Sequence, residues 1–116
     1  MVVIIYYGVS SVGLAGANLV RLRRIGCLLR ALRFPWVVVG DWNVSPQTLQ
    51  ASGFLREVGG VTRFADVEYT CDPGGGNQAS HLDYLVHCTA AQTYIADVTA
   101  VPDAPWKPHL ALRVSS

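Results

Sequence analysis

Two apolar runs, Val2 to Tyr7 ("VVIIYY") and Trp36 to Val39 ("WVVV"), stand about thirty residues apart with a leucine-rich helical pattern between them. A β-branched and aromatic run without polar alternation reads as a central strand covered on both faces. Gly8 to Gly16 is small and polar, which reads as a loop. From Asn18, a suitable N-cap, to Arg33, the residues Leu22, Ile25, Leu28, Leu29 and Leu32 recur at helical spacing with arginines opposite. Gly26 weakens that helix slightly and Pro35 ends it. Strand, helix, strand at this separation is the outline of a βαβ crossover, which favours parallel strands.

Further along, Ser45-Pro46 pairs a capping side chain with proline at the first helical position, predicting a short helix to about Ser52, before Gly53. Beyond Gly59-Gly60 the texture changes to short strands over Asp66 to Thr70, Asp83 to Cys88, Tyr94 to Ala100 and His109 to Val114. Turn-rich segments separate them, Asp72 to Asn77 being the clearest. The class is α/β or α+β, with a mixed sheet flanked by helices on one face.

Bulk properties narrow the function classes. With 116 residues the chain is one domain, and 51% hydrophobic against 15% charged residues excludes disorder by composition. A net charge of +1 gives no strong non-specific pull towards nucleic acid. Arg21, Arg23, Arg24, Arg30 and Arg33 cluster, but on the amphipathic helix they read as its solvated face rather than a nucleic-acid stripe. Three cysteines (Cys27, Cys71, Cys88) without a CxxC point to free thiols in a reducing, intracellular compartment, not to disulfides or zinc. The uncharged first twenty residues precede Arg-Leu-Arg-Arg, the reverse of a signal peptide's charge order. Small and polar residues dilute the segment as a membrane span, so a buried strand followed by a loop is the better reading.

Polar groups gather at three strand ends. The run "VVVGDWNVSP" drives into Gly40 and then offers Asp41 and Asn43. Ser80-His81-Leu82-Asp83-Tyr84 opens the strand of Leu85-Val86, and Trp106-Lys107-Pro108-His109 opens the last one. Carboxylates and carboxamides are costly to bury without partners, so these groups serve turns or caps, or they serve a site.

Taken in order, "GDWN", "SHLDYLVHC" and "KPHLAL" resemble the C-terminal half of the endonuclease/exonuclease/phosphatase superfamily. That superfamily includes abasic-site repair endonucleases, pancreatic deoxyribonuclease, retroelement endonucleases and inositol polyphosphate phosphatases. Its pattern there is a strand into Gly-Asp-Phe-Asn, a later Asp-Tyr strand start, and a closing Ser-Asp-His-x-Pro segment. The resemblance spans about Val2 to Val114. It implies half of a four-layer α/β-sandwich and an ancestral Mg²⁺-dependent (or Mn²⁺-dependent) phosphodiester hydrolysis, with DNA as the leading substrate. By the same resemblance Asp41 orients or deprotonates the attacking water and contributes an incomplete metal site. Asn43 holds the phosphate and the Asp41 carboxylate, Asp83 fixes the ring of His109, and His109 donates to the phosphoryl oxygens. Tyr7, or Tyr6 as the lesser choice, contacts phosphate.

Two departures bear on activity. The family's carboxylate directly before the final histidine is replaced by Pro108, with Lys107 beside it and Asp103 too far upstream. The family's N-terminal half, which supplies an asparagine and the principal metal-ligating glutamate, has no counterpart, and Glu57 and Glu68 fall in the wrong part of the pattern. Residues 1–116 thus read as a partial domain whose catalysis is in doubt, with one sheet face left apolar. A dimer, another polypeptide, or a non-catalytic binding module are the alternatives for that face. Trp36 and Trp42 read as structural, while Trp106 sits beside the site. His81 and His87 give no metal signal, and Cys88 reads as packing.

Overall fold

A computed structural model describes residues 1–10, 12–67, 69–72, 74–75, 79–101, 109 and 111–116. The first strand, β1 (Val2–Tyr7), runs parallel to β2 (Trp36–Asp41), and helix α1 (Gly16–Ala31) makes the crossover between them. Two short helices follow, α2 (Pro46–Ala51) and α3 (Phe54–Val58), then β3 (Gly60–Arg63) and β4 (Asp83–Cys88). The four strands form one mixed sheet in the order β1-β2-β4-β3, with both contacts of β4 antiparallel. A 3₁₀ turn over Thr89–Tyr94 leads to an antiparallel ribbon of β5 (Asp97–Val101) and β6 (Ala111–Ser115).

Side-chain alternation along the strands divides the molecule into two unequal faces. On one face, Tyr6, Val38, Trp42, Tyr84 and Val86 pack against Leu22 and Leu29 of α1, Leu49 of α2 and Phe54 of α3. Trp42 anchors this layer: its ring stacks on Tyr84 at 5.5 Å and 6°, and its indole N–H donates to the Tyr84 carbonyl at 3.0 Å. On the other face Val37 and Leu85 meet Ile95 and Val98, with Leu112 packed alongside, so the β5–β6 ribbon covers only β2 and β4. The same face of β1 is bare, with Val3, Ile5 and Tyr7 exposed by 57%, 72% and 69%.

Several expectations need correction. The run Val2 to Tyr7 is an edge strand with one face open, not a central strand. Asn18 does not cap α1; the N-cap is Ala15, and the fully buried Asn18 side chain instead braces the preceding loop. Its carboxamide accepts from the Val9 amide at 2.6 Å and donates to the carbonyls of Val9 and Gly13. Leu28 lies on the exposed side of α1, although Leu22 and Leu29 are buried as the spacing predicts. No strand forms over Asp66, Val67, Tyr69 and Thr70; the strand that flanks β4 on the side away from β2 is Gly60–Arg63. Tyr94 closes the 3₁₀ turn rather than opening a strand, and β6 begins at Ala111, two residues after His109. Glu68, Pro73, Asn77, Asp103, Trp106, Lys107 and Pro108 lie outside the described residues.

Elsewhere local signals hold. Ser45 caps α2, its hydroxyl accepting from the Thr48 amide at 3.1 Å, with Pro46 first in the helix. The α1 arginines are exposed; Arg30 pairs with Glu57, and Arg21 donates to the Tyr7 carbonyl at 2.8 Å. All three cysteines are free, and Cys88 accepts a hydrogen bond from the Trp36 amide. Among the described residues no helix is long and apolar enough to cross a membrane.

Candidate active site

Strand register builds the site. Tyr7 of β1 is aligned with Asp41 of β2, and Asp41 with Asp83 of β4, so the three form one row across the end of the sheet. Their side chains share the face that carries Val3, Ile5, Val37 and Leu85, because alternate residues point the same way. Gly40 is what lets β2 reach this row. Its φ of +149° disfavours other residues, and a Cβ there would sit 1.9 Å from the Tyr6 carbonyl oxygen. Glycine is thus required where the strand meets β1, just before the carboxylate.

Each member of the row is fixed by its neighbours. Asp41 Oδ1 accepts from the Asn43 amide at 3.0 Å, closing a tight turn in which Asn43 takes a φ of +53°, a conformation asparagine tolerates well. The Asn43 carboxamide donates to the Gly8 carbonyl at 2.6 Å, tying the turn to the end of β1. Asp83 is held through its backbone: the Thr70 hydroxyl oxygen accepts from the Leu82 and Asp83 amides, both at 2.9 Å. Thr70 is fully buried, and sequence reasoning missed this positioning role because threonine ending a β-like run signals strand, not support.

His109 completes the constellation from a distant part of the chain. A backbone bridge to Cys71 pins His109 itself beside the row. Its Nδ1 lies 2.6 Å from Asp83 Oδ2, and its Nε2 lies 3.4 Å from Asp41 Oδ2. The imidazole therefore sits between two carboxylates, all three largely shielded, at 15–29% side-chain exposure. A cleft of about 560 Å³ opens in front of them, bounded by Tyr7 and Val39 on the sheet and by Leu112 and Val114 on the ribbon. The apolar members of this lining, Val39, Leu85, Leu112 and Val114, carried no functional signal in the sequence.

Electrostatics mark Asp41 as the unusual group. Burial, then the nearby Asp83 carboxylate, raise its pKa above the ordinary carboxylate value, while the Asn43 amide and His109 oppose the rise. A carboxyl that holds its proton more tightly than usual is a better proton acceptor when ionised. Cys71, close by, is pushed up by burial first and then by Asp83 and Asp41, which leaves it a thiol and no nucleophile. Tyr6, buried on the helix side, has its hydroxyl raised mainly by desolvation. Tyr7, not Tyr6, borders the cleft.

The donor set also suits a divalent cation. One ligand atom each from Asp41, Asp83 and His109 lies within 4.8 Å of the others. Two carboxylates confined near each other, one already resisting ionisation, favour a positive charge between them. Carboxylate oxygens suit Mg²⁺ and Mn²⁺, and the imidazole nitrogen extends the range towards Mn²⁺ and Zn²⁺. Glu57 lies away from this group, paired with Arg30 on the helical side.

No protein-family model matches the chain, and no curated protein matches it in sequence. Solved structures do. The endonuclease domain of TRAS1, a telomere-specific non-LTR retrotransposon, superposes with a TM-score of 0.67 at 18% identity, over 92% of this chain and 53% of that one. A beta toxin from Staphylococcus aureus superposes with a TM-score of 0.61, also at 18% identity, over 97% of this chain and 48% of the toxin chain. This chain therefore has the endonuclease/exonuclease/phosphatase fold and spans about half the length of these two structures.

Proposed function

We propose that this chain carries the catalytic rim of a metal-dependent phosphodiesterase that acts on nucleic acid, DNA first. The observation that carries the proposal is His109 held between Asp83 and Asp41 at the end of adjacent strands. Likeness to a retrotransposon endonuclease domain supports nucleic acid as the substrate.

The residues divide the work by position. Asp41, with its raised pKa, takes a proton from a water whose oxygen attacks phosphorus, while the bond from phosphorus to the leaving oxygen breaks. His109, oriented by Asp83 through Nδ1, presents Nε2 to a non-bridging phosphoryl oxygen, and the negative charge developing there is what it stabilises. Asn43 keeps the Asp41 turn closed and attached to β1. The exposed Tyr7 hydroxyl contacts the phosphate from the far side of the row. Asp41 and Asp83, through carboxylate oxygens beside His109, would hold Mg²⁺ or Mn²⁺, which would supply charge neutralisation at the phosphoryl group.

A second reading is favoured by one observation: Val3, Ile5 and Tyr7 leave an apolar stripe on the same sheet face. In this reading the residues 1–116 are one part of a longer domain, and another polypeptide or a second copy covers the stripe, with the chain alone serving as a binding module. Three free thiols fit a reducing, intracellular setting for either reading.

Plasmid nicking in Mg²⁺ or Mn²⁺ separates the two. The proposal expects slow nicking by the wild-type chain, reduced by about 10²-fold or more in both Asp41→Ala and His109→Ala. Nicking that persists equally in both variants, or no wild-type nicking at all, rejects catalysis by this rim and leaves the binding module.

A further inference from the structure

Strand β3 (Gly60–Arg63) is paired along one side only. Its partner is β4, and among the described residues no second strand flanks it. In an antiparallel pair every other residue turns its N–H and C=O away from the partner, so part of the β3 backbone faces outward. Among the described residues no loop backbone hydrogen-bonds to that edge.

Two clefts border the strand, and Val61 and Thr62 line both. One, of about 300 Å³, is bounded by Gln50 of α2 and Arg56 of α3. The other, of about 320 Å³, is bounded by Arg63, by His87 of β4 and by Gln92 of the 3₁₀ turn. Val61 and Arg63 are aligned with His87 and Leu85, whereas Thr62 is aligned with Val86, so the strand presents alternate residues to the ribbon face and the helical face.

Both clefts carry positive charge, and among the described residues neither lining contains a carboxylate. Arg56 is exposed and has no ion-pair partner among the described residues. Arg63 donates to the Ile95 and Ala96 carbonyls, both at 2.7 Å; these neutral acceptors fix the guanidinium and leave its charge uncompensated. His87 is buried with Nδ1 2.8 Å from the Cys88 carbonyl oxygen, so Nε2 is the polar atom its ring has left to offer.

We propose that β3 takes up an extended acidic segment of a partner protein as an added strand. An open ladder edge is matched by another extended backbone, whose donors and acceptors repeat at the same spacing. Nucleic acid would offer phosphates to the arginines but no such alternation of N–H and C=O. Successive side chains of the added segment point to opposite faces, so two neighbouring carboxylates reach the two clefts. One meets Arg56 and Gln50, the other Arg63, His87 and Gln92. Backbone pairing supplies affinity, and the arginines select Asp or Glu. Neither cleft shares a lining residue with the one in front of Asp41 and His109, so this docking edge does not depend on the phosphodiesterase reading.

An ¹H–¹⁵N titration of the whole chain with the peptide Thr-Val-Glu-Glu-Val-Thr tests this. Three controls accompany it: the same peptide with lysines for glutamates, the acidic peptide with every backbone amide N-methylated, and oligothymidylate. The acidic peptide should move the amide signals of Gly60–Arg63 first and bind about tenfold more tightly than the lysine and N-methylated peptides. Arg56→Glu and Arg63→Gln should each weaken its binding by about fivefold or more. Arg56 is exposed, so its variant remains decisive if Arg63→Gln loosens the contact with the ribbon. Equal binding of acidic and lysine peptides, undiminished binding of the N-methylated peptide, or no shift with the acidic peptide overturns the proposal. Shifts centred on the other edge strand, β1, overturn it too. Oligothymidylate that moves the same signals and displaces the peptide assigns the arginines to nucleic acid and likewise overturns it.

Discussion

The two faces of the four-stranded sheet use nearly the same residue types and do opposite work. Towards the helices, Tyr6, Val38, Tyr84 and Val86 are buried, and Trp42 locks them in place with a ring stack and an indole hydrogen bond. Towards the ribbon, Val37 is buried but Val3 and Ile5, one strand over in the same rows, are open to solvent. Stability therefore resides on the helical face, and chemistry and recognition on the other. The carboxylates belong to the second face because Asp41 and Asp83 share the parity of Val37 and Leu85 in their strands.

Substitutions on each face should sharpen that contrast. Trp42→Ala should have the largest effect, about 3–5 kcal/mol lost in chemical denaturation, because it empties the buried layer and removes the indole hydrogen bond to the Tyr84 carbonyl. Gly40→Ala comes next, costing at least about 2 kcal/mol, since a Cβ would collide with the Tyr6 carbonyl at an unfavourable φ. A normally folded Gly40→Ala protein would show that β2 reaches the row by another route. Such a result would undo the argument for this glycine.

Asp41→Asn should act in the opposite direction. Because the folded protein binds the Asp41 proton more tightly than the unfolded chain, its contribution favours folding at low pH. That contribution is lost as pH rises from about 4 through the raised folded value. The asparagine variant avoids the loss, so at neutral pH its Tm should exceed wild type by a few degrees, with the gap closing below pH of about 4. A variant less stable than wild type at pH 7 would mean that the carboxylate supports the fold rather than straining it. Smallest of all, Ile5→Ser on the open face should change monomer stability by no more than about 0.5 kcal/mol. If that substitution abolishes self-association in sedimentation or sizing experiments, a second copy covers the stripe; if it destabilises the monomer strongly, the face is not open.

Much of this was legible in the sequence, for identifiable reasons. The crossover of β1, α1 and β2, the Ser45-Pro46 helix start and the strand at Asp83–Cys88 all carry strong local periodicity or capping signals. The short β3 and α3 were missed, and Asp66 to Thr70 was misread, because segments of four or five residues are decided by what they pack against. β1 was read as central because an unbroken β-branched run looks doubly covered, whereas the edge position leaves one face free. At the site, the residues of the row could be picked out by their resemblance to a known pattern, but not their alignment. Asp41 and Asp83, far apart in the sequence, meet only because β2 and β4 pair antiparallel in the register that sets the two side by side. The supporting roles of Thr70, Asn18 and Gly8 leave no periodic trace at all.

The central claim is that the open face holds one divalent-cation and phosphate centre made of Asp41, Asp83 and His109. Paramagnetic broadening by Mn²⁺ in an ¹H–¹⁵N spectrum tests it at residue level. Addition of Mn²⁺ should first erase the signals of Asp41, Asp83, His109 and the adjoining Tyr7, and Asp41→Asn with Asp83→Asn should abolish that pattern. Broadening centred elsewhere, or a pattern indifferent to both substitutions, would contradict the account.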